Sequence, residues 1–530
     1  MNYMNRINYI AILTVTALMV ACTSHPSVPA NCSQEDKVPT IFPDYTEVTI
    51  PANIAPMNFA VREAGEECVA RLSCGTIQQT YGDGKKVVID EDEWHELLKA
   101  AKGGQIKVEV FVGKDGSWKA YKPFNIYVAE EDIDEYISYR LIKPSYVAYE
   151  LLTINQRNIT NFEEKDIYNN MMVGTEATGQ CVNCHSYRNF KTDNMQFHMR
   201  QGLGGTMIVK DNQIKKINLK TDSTLSAGVY PAWHPTEDVI AYSTNSTGQS
   251  FHTKDKAKIE VQDTKSDLIL YDVVKDEVSN ISCQPNELEV FPAWDATGDY
   301  LYFCSAHFEY RDTVAPETEM IHRYKEVLYS LYRKSFDKKT REFGQAELIY
   351  DAASKQRSVS LPRVSPDNKY MLFAEGDFGC FHVWHPHADI FIMDMKTQEV
   401  RKVENINSDQ SESYPTWSSN GRWIMFASRR DDGNYTRPYI AYFDKNGKAH
   451  KAFEVPQKDP NFYTFQGRSY NRPEFMIEPV TITPQEFAEV AKQDPIQCTF
   501  KSTKVSSYVD GSTGASVQKP ATTDSAAISR

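Results

Sequence analysis

The fold is decided by the stretch Tyr230-Pro-Ala-Trp-His-Pro-Thr-Glu-Asp-Val-Ile-Ala-Tyr-Ser243, because the chain repeats it. In its fullest form the repeat is an aromatic residue, proline, any residue and tryptophan, then a polar turn and an alternating apolar strand. The other copies are Phe291–Cys304, Leu361–Ala374 and Tyr414–Ala427, with Tyr470–Phe475 as a shortened fifth. Alternation between polar turns is typical of β-hairpins, so we expect a mainly β chain.

The repeat resembles that of TolB and related WD-type periplasmic proteins, over roughly half of the chain. The resemblance implies a β-propeller at residues 204–480 with about six blades. The copies are 53 to 70 residues apart, proline to proline. A minimal blade has ~40–45 residues, so inserted loops are expected. A sixth blade, built partly from Thr206–Lys220 and the C-terminal strands, would close the ring.

The flanking regions differ from the repeats. Residues 41–130 are short apolar alternations broken by turns, which predicts a small β-sandwich-like domain with one helix at Asp92–Ala101. Residues 131–203 have helical spacing at Glu130–Leu141 and Thr160–Met172, which predicts a short helical segment. A capping box at Thr483 predicts a helix within 481–500, and residues 501–530 have the composition of a disordered tail.

The N-terminus has the pattern of an exported lipoprotein. Residues 1–21 combine Arg6 with an apolar run too short to span a bilayer easily, which is typical of a signal peptide, although an uncleaved anchor is the alternative. The ending before Cys22 resembles a lipoprotein box, which implies lipidation of Cys22. Residues 22–40 then form a tether. We therefore expect an outer-membrane lipoprotein facing the periplasm or the cell surface.

The charge limits the possible partners. The formal net charge is −13 and the pI is about 5.5, which argues against nucleic acid or an anionic lipid surface as partner. Contact with the membrane is expected through the lipid anchor only.

The stretch Cys181-Val-Asn-Cys184-His185 has the pattern of a covalent haem c site. On a helical turn, two thiols three positions apart can form thioethers to the haem vinyl groups, and His185 can then bind the iron. A redox or structural disulfide and a metal site are the alternatives. Zinc would need a second cysteine pair at similar spacing, and the sequence has none.

The second axial ligand of such an iron has three candidates close downstream. Met195, His198 and Met199 are each within reach, and His198 is slightly favoured. One alternative is that Phe197 and Met199 only pack against the haem edge or the next domain, and another is an open coordination position on the iron. The chain also resembles a group of exported TolB-like lipoproteins that carry such a motif. This resemblance implies haem binding but no settled role.

A second cluster follows the third repeat. His382, His385, His387 and Asp389 lie within eight residues between two predicted strands, so a metal or substrate site is conceivable. Histidines in blade loops also hydrogen-bond to neighbouring turns, and this interpretation is favoured.

These features support two functional hypotheses. The first is a lipid-anchored haem c protein for electron transfer or redox sensing, whose propeller docks a redox partner or another envelope protein. The alternative is a non-haem propeller lipoprotein that binds an envelope protein or a glycan and whose cysteine pair is structural. The sequence contains no recognisable catalytic triad motif, so enzymatic activity is left open, with a hydrolase at His382–Asp389 as a third hypothesis.

Overall fold

The computed structural model describes residues 25–143, 151–175, 180–255, 257–311 and 315–502. The predicted signal peptide, Cys22 and nearly all of the predicted tail lie outside these residues. Within the described part, no helix is both long and apolar enough to cross a membrane. The prediction of a mainly β chain is confirmed, since strands far outnumber helices.

The N-terminal domain is β-rich and contains one helix. Its elements are β1 (Ser33–Gln34), β2 (Ile41–Phe42), β3 (Thr49–Ile50), β4 (Phe59–Val61), β5 (Glu67–Cys74), β6 (Ile77–Tyr81), β7 (Lys86–Val87), α1 (Glu91–Ala101), β8 (Gln105–Lys114), β9 (Ser117–Ala120) and β10 (Phe124–Val128). Helix α1 begins where the Asp90 side chain accepts hydrogen bonds from the backbone of Asp92 and Glu93. Its apolar face, with Trp94 and Leu97, is buried in the domain core.

The rest of the chain forms six units of four antiparallel strands. Three strands come first in the chain: β11 (Tyr136–Ile142), β12 (Thr153–Asn158) and β13 (Glu164–Asn169). Unit 1 contains β14 (Cys181–Arg188), β15 (Lys191–Arg200), β16 (Gly205–Lys210) and β17 (Gln213–Asn218). Unit 2 contains β18 (Val229–Trp233), β19 (Val239–Phe251), β20 (Ile259–Asp272) and β21 (Glu277–Ser282).

The later units follow the same pattern. Unit 3 contains β22 (Glu287–Trp294), β23 (Tyr300–His307), α2 (Pro316–Arg323), β24 (Ser330–Asp337), the short β25 (Glu342–Phe343) and β26 (Glu347–Tyr350). Unit 4 contains β27 (Ser358–Val364), β28 (Tyr370–Gly376), β29 (Asp389–Asp394) and β30 (Val400–Lys402). Unit 5 contains β31 (Glu412–Trp417), β32 (Trp423–Ser428), β33 (Arg437–Tyr442) and β34 (Phe453–Glu454), followed by α3 (Phe462–Phe465).

The sixth unit joins the two ends of the repeat region. Its first strand is β35 (Ser469–Met476), which pairs with β11, and β12 and β13 complete the sheet. After β35 come α4 (Pro484–Ala491), β36 (Ile496–Gln497) and β37 (Thr499–Phe500). Strand β36 pairs with β17 of unit 1 and β37 with β21 of unit 2. The C-terminal segment therefore holds units 1, 2 and 6 together.

The first strand of every unit has the same backbone irregularity. Its register shifts by a bulge at one residue of left-handed conformation. These residues are Cys184 (φ 57°), Tyr230 (φ 50°), Phe291 (φ 55°), Leu361 (φ 56°), Tyr414 (φ 51°) and Arg472 (φ 50°). Proline follows in five of the six strands. The bulge interrupts the ladder there, so proline has no backbone hydrogen bond to lose.

The prediction of a helical segment at 131–203 is wrong, because the described residues of this region form β11 to β15 and short 3-10 turns. Strands β11 and β12 are largely buried on both faces. Apolar residues are then no longer confined to alternate positions, and helical spacing arises by coincidence. The predicted start of the repeats at residue 204 falls between β15 and β16, inside unit 1.

The cores of the domain and the repeats are continuous. One apolar cluster includes α1 of the N-terminal domain together with Trp423 of unit 5 and Tyr470 of unit 6. The Trp423 indole donates a hydrogen bond to the carbonyl of Asp132 at 3.1 Å, and Asp134 accepts from the backbone of Ser419 at 2.7 Å. The N-terminal domain is therefore packed firmly against the last units.

Candidate functional site: the first strand of unit 1

The Cys181–His185 stretch lies in β14, the first strand of unit 1, and not on a helical turn. Cys184 occupies the bulge position that Tyr230 occupies in unit 2, so Cys184-His185-Ser186-Tyr187 matches the aromatic-Pro-x-Trp repeat. The stretch is thus a sixth copy of the repeat that the sequence analysis missed. The stretch lies about one repeat length before Tyr230 in the sequence, and this spacing is the signal that could have revealed it.

The two cysteines lie in different surroundings. Cys181 packs against the apolar core between units 1 and 6, which contains Val182. Cys184 lies near both neighbouring units. It contributes, after burial and Cys498, to the raised pKa of Tyr242 in unit 2, and, against burial and after Glu474, to the raised pKa of Arg472 in unit 6. In this structure the two thiols form no disulfide.

His185 is completely buried on the side of unit 6. The carbonyl groups of Ser138 and Arg472 lie beside its ring, but neither ring nitrogen makes a hydrogen bond of normal geometry. Burial first, and then the charges of Arg472 and Arg140, hold the pKa of His185 well below its ordinary value. The imidazole is therefore neutral.

The three candidates for the second axial position do not meet His185 around one centre. His198 lies across from Asn183 on β15, and its Nδ1 is 3.0 Å from the hydroxyl of Thr206. It shares a sheet face with Gln196, which reaches Tyr242 of unit 2. Met195 and Met199 lie on the other face, fully buried in the core between units 1 and 6. The packing role considered for Met199 and Phe197 matches this placement.

As folded, these residues do not fit a haem. The two thiols lie in different surroundings of the strand, and His185 and His198 lie on opposite faces of one sheet. A planar macrocycle joined to both sulfurs could not reach these side chains without separating sheets whose cores are closely packed. The sequence motif is instead accommodated as part of a repeated strand.

Of the four residues of the second cluster, His382 and His385 lie side by side, with ring centroids 5.4 Å apart. His382 is fully buried, with Nδ1 2.8 Å from the hydroxyl of Ser360, and His387 is exposed. Asp389 pairs with Lys402 at 2.8 Å. No group of three or more histidine, cysteine, aspartate or glutamate side chains in the described residues is arranged to hold a metal ion. The favoured interpretation, hydrogen bonding within loops, agrees with this placement.

His385 has a different role, because it connects two units. Its Nε2 lies 2.7 Å from a carboxylate oxygen of Glu260, which is on the long hairpin of unit 2. Both side chains are buried. Glu260 and the neighbouring Asp263 line a small cavity of about 10 Å³, beside Cys380. Burial raises the pKa of Asp263 to about 6, although hydrogen bonds from Thr247 and Asn245 act to lower it.

The bulge residues meet one another near the middle of the six first strands. The rings of Tyr230 and Phe291 are 4.5 Å apart, centroid to centroid, in an edge-to-face contact. Arg472 donates a hydrogen bond to the carbonyl of Pro231 at 3.3 Å and to the carboxylate of Glu474 at 3.0 Å. Sequence reasoning did not single out Arg472, because its copy of the repeat lacks the usual aromatic residue.

No protein-family model matches the chain, and no curated protein matches it. Among solved structures, a tricorn protease has a TM-score of 0.34 and 13% identity, covering 68% of this chain and 34% of that protein. A prolyl oligopeptidase B from Galerina marginata has a TM-score of 0.34 and 8% identity, covering 60% and 44%.

A puromycin-hydrolyzing peptidase from Mycobacterium tuberculosis has a TM-score of 0.31 and 9% identity, covering 80% of this chain and 57% of that protein. The chain thus spans between a third and three fifths of the length of these three proteins. Structural similarity this weak assigns no activity to the chain.

Proposed function

We propose that this chain is a non-haem, six-bladed propeller of the cell envelope that binds a protein partner at one rim. Each first strand contacts the first strand of the next unit, and β35 contacts β14. The pairing of β35 with β11 closes the ring by joining distant parts of the chain. These observations support a closed arrangement of the six units as blades.

The connections between second and third strands meet at one end of the units. Glu260 of unit 2 contacts His385 of unit 4, and Lys258 of unit 2 donates to Asn434 of unit 5 at 2.7 Å. The guanidinium of Arg429 lies 3.4 Å from the ring centroid of Trp384. These contacts define a surface, the loop rim, that the long hairpin of unit 2 partly covers.

The observation that carries the proposal is the exposure of large apolar side chains on this loop rim. Phe465 is 83% exposed, Phe251 is 55% exposed and Ile321 is 51% exposed. They lie on connections of units 5, 2 and 3 that share one end of the strands. We infer that these side chains, which share one end of the units, belong to one protein-binding surface. A glycan site would instead need an aromatic platform with polar groups around it.

The location in the envelope follows from the proposed lipid anchor. Cys22 precedes the N-terminal domain, which packs against units 5 and 6. Lipidation at Cys22 would therefore tether the propeller through that domain. The cysteine pair of β14 takes part in packing between units, so no redox role is assigned to it.

The test compares the two ends of the units. Phe251→Ser, Ile321→Ser and Phe465→Ser are combined in the full-length lipoprotein, and Val274→Ser is the matched control. Val274 is 65% exposed on the connection at the opposite end of unit 2. A photo-crosslinker at position 465 identifies the partner in envelopes, and the affinity of that purified partner for each variant is then measured by calorimetry.

We expect the triple variant to raise the Kd for the partner at least tenfold, which corresponds to about 1.4 kcal/mol of binding free energy. Val274→Ser should leave the Kd unchanged. Equal weakening by both variants, or no crosslinked partner at position 465, would contradict the proposal. The mass of Cys181–Cys184 peptides from the native protein tests the non-haem part separately. A haem adduct on these cysteines would overturn it.

A further inference from the structure

Residues 25–40 lie along the surface of the N-terminal domain, and we call them the strap. Strand β1 pairs in parallel with β9 at the edge of the sheet. The backbone N–H of Glu35 then donates to the carbonyl of Ala120 at 2.9 Å, and Lys37 pairs with Glu63 at 2.7 Å. Backbone and side-chain contacts therefore fix the second half of the strap to the domain.

The first half of the strap is held by an apolar contact. Val28 packs against a cluster on strands β5, β8 and β9, which consists of Val69, Phe111 and Ala120. Cys32 of the strap contacts the same cluster. Removal of these side chains from water keeps the strap on the domain before β1 begins.

The attachment continues back to His25, where the described part of the chain begins. The His25 Nδ1 lies 3.0 Å from the carbonyl oxygen of Thr80 on β6, and its Nε2 lies 3.0 Å from a carboxylate oxygen of Glu93 on α1. Its ring also makes an edge contact with the ring of Tyr81, with centroids 5.7 Å apart. Tyr81 donates to the same carboxylate at 2.6 Å, which fixes Glu93 in place. The strap therefore starts at one point, formed by β6 and the first turn of α1.

We infer that the face formed by β6 and the first turn of α1 lies directly on the membrane surface. The inference rests on the proposed lipidation of Cys22. Only Thr23 and Ser24 lie between Cys22 and His25. Three steps along the chain, at up to ~3.6 Å each, reach about 11 Å at most. The acyl chains at Cys22 therefore keep this face within about 11 Å of the point where the chain meets the lipid.

A free tether would place the domain differently. If residues 22–40 were a flexible coil, their root-mean-square span would be about 23 Å, and the domain could turn any face toward the lipid. The contacts of the strap remove this freedom, because they leave only the chain before His25 to act as a tether. The structure thus selects one face of the N-terminal domain.

The composition of this face fits the headgroup level of a zwitterionic lipid surface. Gln78 of β6 and Glu91 and Asp92 of α1 are exposed. Carboxylates stay hydrated among headgroups, whereas burial in hydrocarbon is costly for them. The net charge of −13 gives no attraction to anionic lipid. The face is therefore held against the lipid by the anchor and does not insert, and the partner of the loop rim must approach from another side.

Lipid photo-crosslinking of the full-length lipoprotein in phosphatidylcholine vesicles tests the inference. A photo-crosslinking residue replaces Gln78 on the proposed face or Val274 on unit 2, and lipid adducts are measured by mass spectrometry. Val274 is the control position, because it is 65% exposed and the N-terminal domain packs against units 5 and 6 instead. We expect at least about tenfold more adduct at position 78 than at position 274, since only position 78 is kept within reach of the lipid.

Variants of the strap test the cause of the proximity. A flexible Gly/Ser insertion of about 20 residues between Ser24 and His25 should lower the adduct at position 78 at least about threefold, because it adds a root-mean-square span of about 25 Å. His25→Ala combined with Val28→Asn detaches the first half of the strap and should lower the adduct in the same direction. Val38→Ser is the matched control, since Val38 is 45% exposed in the same segment, and it should leave the adduct unchanged.

The mass of the N-terminal peptide from the same samples separates this inference from the proposed anchor. An unmodified Cys22 overturns both. A lipidated Cys22 with equal adducts at positions 78 and 274 overturns the inference alone, and so does an adduct at position 78 that the insertion leaves unchanged. Circular dichroism shows whether each variant is folded like the parent protein.

Discussion

The interface between units 2 and 3 and the interface between units 6 and 1 use the same backbone with different side chains. In the first, Trp294 packs on His234 and Phe336, with ring centroids 4.6 and 5.0 Å apart. In the second, Tyr187 takes the position of the tryptophan and His185 that of the proline. Since the bulge geometry is common to both, we conclude that the backbone requires neither side chain. The first interface is packed with aromatic rings, whereas the second contains the buried polar residues His185 and Ser138.

The largest expected effect is at the apolar interface. Trp294→Ala should lower the free energy of unfolding by about 3–5 kcal/mol, because it removes a large buried ring and its hydrogen bond to Ala232. Urea unfolding at pH 7 measures the loss. Trp118→Ala, at a half-buried tryptophan of the N-terminal domain, is the control and should cost clearly less. Equal losses would show that the repeat tryptophan has no special role between units.

A smaller effect is expected from pH at unit 1. Burial, and after it Arg200, lowers the pKa of His198 to about 3, while an unfolded histidine titrates near 6.5. The unfolded chain therefore binds a proton that the folded chain does not. Stability from His198 is full above pH 6.5 and is lost as the pH falls toward 3. Between pH 7 and 5 we expect a loss of about 2 kcal/mol.

Urea unfolding of His198→Gln should show a shallower decline over this range than the parent protein. His307→Gln is the matched control, because the side chain of His307 is 60% exposed. If the free energy of unfolding of His198→Gln falls between pH 7 and 5 as much as that of the parent protein, another group takes up the proton. His185 is then the first residue to test.

The smallest effect is expected at His185 itself. His185→Pro should change the free energy of unfolding by less than about 1 kcal/mol, because the bulge leaves no ladder hydrogen bond there and other repeats have proline. Val209→Pro, in the middle of the central strand β16, should cost about 3 kcal/mol or more. A large loss in His185→Pro would mean that the first strand of unit 1 is not equivalent to the others.

The sequence was sufficient for the local structure of most repeats. The proline of each copy, the polar turn that follows and the alternating strand after the turn predicted the first two strands of units 2 to 5. Turn chemistry and period-two alternation act within a few residues, so they can be recognised in the sequence. In unit 6 only β35 was indicated, by the shortened fifth copy of the repeat, and the other three strands were not predicted. Tyr136–Ile142 is buried on both faces, and its partner β35 is more than three hundred residues away.

The sequence by itself determined that the chain is mainly β and repeated, since hydrophobic alternation and turn residues are local properties. Only the tertiary structure decided that Cys184 and His185 belong to the repeat rather than to a helical turn. A five-residue motif specifies which atoms are available but not which way they point. The register with β15 and the packing of units 2 and 6 on either side place these side chains on their separate faces.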